Sequence, residues 1–123
     1  MRIDAARRLT MTKYLISFPG KAMQLRPDEF AQAGEDSRAV MRDAKAAGVY
    51  VFGGGIDEDV PSVMVAADGS TSDETYPQTR EFDGGFCVLE VPSRDEAVSW
   101  AARIAAACRC KQELREFMYD PES

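Results

Sequence analysis

Histidine is absent from this chain of 123 residues. Its absence removes the side chain best suited to proton transfer near neutral pH and the commonest metal ligand. Any catalysis must therefore fall to carboxylates, Arg, Lys, Tyr, Ser, Thr or Cys. Cysteine is scarce: Cys87, Cys108 and Cys110 are an odd number set in apolar stretches, and the chain shows no secretory apolar region. That usage fits a reducing cytoplasm and argues against a disulfide framework. Long apolar runs are missing as well, none approaching the roughly 20 residues that span a bilayer, so no transmembrane segment is expected. Positive charge is in deficit, 15 basic against 21 acidic residues for a net charge of -6. Such a surface repels phosphate backbones, and neither nucleic acid nor an anionic membrane is expected as a partner.

What remains is ordinary for one globular domain: 45% apolar and 29% charged residues, in a chain long enough to bury a core without staples. The domain is expected over residues 11–118, with tails at 1–10 and 119–123. Residues 1–10 carry Arg2, Arg7 and Arg8 around Ile3 and Leu9, too little apolar character for a signal peptide. They are read as a flexible tail, and Met11, directly before the first strand, as an alternative start of translation.

Thr12 to Phe18 is rich in aromatic and branched residues and stops at Pro19-Gly20, which marks a strand. From Pro27, the residues Phe30, Ala33, Ser37, Val40, Met41, Ala44 and Ala47 recur at helical steps, and Gly48 closes the pattern. This predicts an amphipathic helix over 27–47, with Asp28 and Glu29 in the turn where the helix dipole favours them. Val49 to Phe52, running into Gly53-Gly54-Gly55, and Pro61 to Ala67, ending at the turn Asp68-Gly69, are read as two strands. The triple glycine lacks the lysine and following helix of a phosphate loop. The acidic Asp57-Glu58-Asp59 lacks the ligand pattern of a calcium loop, so a solvated turn is the reading there.

Gly84 to Val91 turns abruptly apolar and is read as a core strand, with Phe86, Val88 and Glu90 on one face and Cys87, Leu89 and Val91 on the other. Both faces look covered. Ser93 to Glu96 forms a capping box for a second helix, whose apolar face is Ala97, Trp100, Ala101, Ile104 and Ala105. Arg109 to Met118 is read as the last strand, which would put Cys108 and Cys110 on one strand face. Two thiols are too few for a zinc site, and no metal or cofactor is expected.

The order strand, helix, strand, strand, helix, strand is that of ferredoxin-like α+β folds, an antiparallel sheet with two helices on one face. Strands apolar on both sides predict a homodimer whose sheets face each other.

Residues 72–86, from Ser72-Asp73-Glu74-Thr75-Tyr76-Pro77 through Gln78-Thr79-Arg80-Glu81 to Phe82-Asp83-Gly84-Gly85-Phe86, resemble the signature of the YCII-related or DGPF-domain proteins, usually read T-D-G-P-F-A-E-T-K-E-x-x-G-G-F. The resemblance extends to Lys13-Tyr14-Leu15-Ile16, Pro27-Asp28-Glu29, Asp95-Glu96-Ala97, Trp100-Ala101-Ala102-Arg103 and Glu113-Leu114-Arg115. It implies a dimeric alpha+beta barrel with a small-molecule cleft in each subunit and largely undefined activity. The Gly-Pro of the signature is Glu74-Thr75 here, its first phenylalanine Tyr76 and its first glutamate Gln78. The His-Asp pair proposed as catalytic in some YCII proteins cannot exist without histidine.

The site candidates come from the same stretch and the strands after it. Asp73 is either an acid/base or a turn cap. Arg80 is either a fork for a ligand carboxylate or a partner of Glu81 or Glu90, with pairing inside the protein favoured. Glu90 and Arg115, on strands read as inner, form an ion pair or reach a ligand. Tyr76 and Thr79 complete the ligand-binding set, although aromatic packing is the ordinary role of Tyr76 and of Tyr14. The expected function is a non-catalytic small-molecule-binding or regulatory module holding a small polar or carboxylated ligand. The alternative is an enzyme using Asp73 on a small polar substrate.

Overall fold

The computed structural model describes residues 11–123; the N-terminal tail read at 1–10 lies outside them. Strand β1 (Thr12–Phe18) alternates as its residue types predict. Tyr14 and Ile16 are buried on one side while Lys13 and Leu15 stand half-open on the other. Helix α1 (Pro27–Ala46) starts on proline, carries Asp28 and Glu29 in its first turn, and buries Ala33, Val40 and Ala44. It stops at Gly48, whose φ of 75° is a conformation glycine adopts without steric cost.

Strand β2 (Tyr50–Gly55) absorbs all three glycines. They lie opposite Cys87, Phe86 and Gly85 of strand β5 (Gly85–Val91), so the phosphate-loop alternative has no loop to occupy. The strand read over 61–67 is shorter than expected. Only β3 (Met64–Val65) forms, paired with β4 (Thr71–Ser72) across the Asp68-Gly69 turn in a separate two-stranded sheet. Pro61 donates no backbone hydrogen bond and this arm has no third strand to extend the ladder.

Helix α2 (Arg94–Cys108) forms the serine half of the expected capping box, the Ser93 hydroxyl accepting from the Glu96 amide at 3.2 Å, without the reciprocal bond to the Glu96 carboxylate. It runs to Cys108 and closes on Arg109 in the left-handed region, φ 58°. Strand β6 (Glu113–Glu116) is consequently shorter than the 109–118 expected. Cys108 is helical and Cys110 follows the cap, so the two thiols do not share a strand face. Trp100 is half-buried with the Arg103 guanidinium 4.7 Å over its ring, and Arg103 pairs with Asp43 to tie α2 to α1.

The main sheet has the order β2-β5-β1-β6, every pair antiparallel. With the two helices on one face this is the ferredoxin-like α+β fold. Between sheet and helices lies the core: Ile16, Val40, Ala44, Cys87, Leu89, Ala101, Ile104, Ala107 and Cys108, with Leu89 and Val91 fully buried. The helix-facing side of β5 is therefore Cys87, Leu89 and Val91, as the alternation predicts. Among the described residues only that face is covered. Phe86, Val88 and Glu90 are half-exposed on the other, in register with Ser17, Leu15 and Lys13 of β1. β6 is an edge strand, which corrects the inner position expected for Arg115: its side chain is exposed, and it pairs with Glu113 at 3.2 Å.

Candidate functional site

The segment between β2 and β5 is anchored at its end by residues the sequence places consecutively. The Gly20 amide donates to Asp83 Oδ1 at 2.9 Å, tying the segment to the turn after β1. A Cβ on Gly84 would lie 2.0 Å from the Phe18 carbonyl oxygen, and one on Gly85 2.6 Å from the Phe18 ring. The Ile56 amide donates to the Gly84 carbonyl at 2.9 Å. Phe86 then stacks on Phe82, ring centres 5.5 Å apart at 24°, and the Arg115 guanidinium sits 5.7 Å from the Phe82 ring centre. The Asp-Gly-Gly-Phe run is thus a close backbone junction holding the preceding residues against the sheet.

Those residues form one wall of a cavity. Pro77–Thr79 makes a tight helical turn, in which the Thr79 amide donates to the Tyr76 carbonyl at 3.1 Å and the Phe82 amide to the Thr79 carbonyl at 3.0 Å. Tyr76, Thr79 and Arg80 then face residues 56–64 across a cavity of about 550 Å³, whose lining also includes Asp57, Glu58, Val60, Val63, Glu74 and Phe82. This volume falls within the range of small-molecule sites. Glu81 pairs with Lys21 at 3.7 Å, which corrects the expected partnership of Arg80. Arg80 makes no ion pair among the described residues.

The sequence candidates divide among three places. Tyr76, Thr79 and Arg80 share the cavity just described. Glu90 lines a second cavity of about 690 Å³, with Lys13, Val88, Glu116, Phe117 and Tyr119, toward the other end of the open sheet face. Asp73 is exposed and lines neither, while Arg115 reaches the first cavity only through its stack on Phe82. Sequence reasoning missed the wall made by residues 56–64. A solvated turn and an acidic wall have the same composition, and only the long-range return of the chain separates them. Phe82 and Asp83 were within reach, since both stand in the signature stretch.

Other groups suited to chemistry are held in unreactive settings. Tyr14 is buried, and burial followed by its hydrogen bond to Glu116 raises its phenol above the usual range. Burial pushes the Cys87 and Cys108 thiols up to about 11, and their proximity adds to the shift at Cys87. The Cys110 thiol is raised by burial too, and Gln112 beside it partly offsets this. All three thiols are free. Among the described residues no cluster of three or more ligating side chains could hold a metal ion, and no helix is long and apolar enough to cross a membrane.

No curated protein matches the chain. The model of the YCII-related domain does, over residues 12–115, from the first residue of β1 to the third of β6, and so takes in every strand and both helices. The chain therefore belongs to the YCII-related domain family.

Proposed function

We propose that the protein is a non-catalytic small-molecule-binding module, with its ligand in the cavity between residues 56–64 and 74–83. The observation that carries this reading is the convergence of Tyr76, Thr79 and Arg80, which has no ion-pair partner among the described residues, on a cavity of about 550 Å³. An aromatic face, a hydroxyl and a forked donor beside apolar side chains are what small polar ligands are held by. The chain has no histidine, and Asp73, the acid/base that the enzymatic alternative calls on, is exposed and outside the cavity lining. The free thiols fit a reducing compartment, and the module is assigned to the cytoplasm.

A thermal-shift panel of metabolites tests the reading. A ligand at 100 times its dissociation constant adds about 2.7 kcal/mol of stability, and the shift should vanish in Tyr76→Ala. A panel without any Tyr76-dependent ligand would refute it. Turnover of a hit that disappears in Asp73→Asn would establish the enzymatic alternative instead.

The module is further proposed to act as a homodimer joined through the open sheet faces. Phe52 on that face is 63% exposed, opposite Val88 and in line with Leu15, an apolar row that water would otherwise cover. Obligate interfaces of this kind bury upwards of about 2,000 Å² in total. Light scattering should therefore report twice the 13.6 kDa chain mass at micromolar concentration. A monomer there would end this part of the proposal.

A further inference from the structure

Around the cavity between residues 56–64 and 74–83 stand charges of both signs that have no ion pair among the described residues. Some charged groups of the chain are paired: Glu81 with Lys21, Arg115 with Glu113, Arg109 with Asp36, Arg38 with Glu35. Arg80, Glu58 and Glu74 line the same cavity, yet among the described residues none has an ion-pair partner, and Arg80 is not bonded to either carboxylate. The same lining carries apolar side chains, with Val60 64%, Val63 55% and Tyr76 65% exposed. A guanidinium, carboxylates held apart from it and an apolar surface are thus presented together.

The charge of the occupant follows from this balance. A simple carboxylate would satisfy Arg80, but Asp57, Glu58, Glu74 and Asp83 also line the cavity and would repel it. A simple amine would satisfy those carboxylates and meet Arg80. A molecule with both an ammonium and a carboxylate meets each group with its complement, in charge-assisted hydrogen bonds stronger than neutral ones. Any apolar portion it carries has Val60, Val63 and Tyr76 to cover it. We infer that the cavity takes a zwitterionic amino acid with an apolar side chain, bound by Arg80 at its carboxylate and by Glu74 and Glu58 at its ammonium. The inference rests on this cavity being the binding site.

Three probes of one skeleton test it by calorimetry on the full chain: phenylalanine, phenethylammonium, which lacks the carboxylate, and 3-phenylpropionate, which lacks the ammonium. Phenylalanine should bind at least about tenfold more tightly than either, since each lost hydrogen bond to a charged group removes about that much. Glu74→Gln should weaken phenylalanine about tenfold without weakening 3-phenylpropionate, and Arg80→Gln should weaken it as much without weakening phenethylammonium. Both side chains are exposed, so the unliganded variants should melt with the parent. Either half-probe binding as tightly as phenylalanine, or an order of affinities unmoved by both substitutions, would overturn the zwitterion and leave the cavity as a binding site. If none of the three binds, the zwitterion is again overturned, while the binding reading falls only if the wider panel also lacks a Tyr76-dependent ligand.

Discussion

Replacing Gly84 by alanine is expected to cost about 3 kcal/mol, the upper part of the range for inserting an atom into a closed space. The new Cβ would lie 2.0 Å from the Phe18 carbonyl oxygen and 2.8 Å from both the Gly20 nitrogen and the Pro19 carbonyl carbon. All three are backbone atoms, so no side chain can swing aside. Relief requires β1 and β5 to separate at their ends, which would also strain the Gly20 to Asp83 hydrogen bond. For a chain of this size the melting midpoint should fall by about 10 to 15 °C. Gly54→Ala is the control, because a Cβ there meets nothing closer than the Phe52 ring edge at 3.8 Å. The two substitutions make the same chemical change, one within β2 and one at the residue before β5, so a large effect in Gly84→Ala alone isolates the close approach from loss of glycine entropy. Equal midpoints would show that the junction has slack and that its two glycines are retained for another reason.

The same junction shows why some of the structure could be read from the sequence and some could not. β1, β5 and both helices were legible because their signals are local: alternation along Gly85–Val91, helical spacing from Pro27, a serine cap before α2. Each pattern spans enough residues for burial on one face to dominate any single exception. β3 and β4 were hard to place because two-residue strands carry no period, and Val63 and Val65 advertise a buried strand while standing exposed. Cys108 and Cys110 were misplaced because the left-handed cap falls on Arg109, where glycine would have announced it. At the candidate site the signature stretch supplied Tyr76, Thr79 and Arg80, which are close in sequence and stay together in space. The facing wall at Asp57, Glu58, Val60 and Val63 comes from a segment about 20 residues earlier. No local pattern records that contact.

Stability should fall steeply as pH rises from about 9 to 11, and the two buried thiols should account for most of the loss. Cys87 and Cys108 are 5% and 6% exposed, and burial lifts both from an ordinary value of 9.0 to about 11. In that window the unfolded chain has released both protons while the folded chain still holds them. The native state then binds more protons than the unfolded state, so unfolding is favoured as pH rises, and below the unfolded value the contribution is constant. A shift of two units is worth about 2.7 kcal/mol for each thiol. Together they remove about 5 kcal/mol, the repulsion between the two thiolates entering once, in the Cys87 shift. That is a large share of the 5 to 15 kcal/mol typical of a domain. Tyr14, raised chiefly by burial and then by Glu116, acts with the same sign above pH 10. Urea unfolding at intervals from pH 8 to 11 measures the slope, and the Cys87→Ala, Cys108→Ala double variant should flatten it even though the substitutions lower stability at every pH. A parent whose stability stays level to pH 11, or a double variant with the parent's slope, would show that the thiols ionise in the folded chain as they do in water.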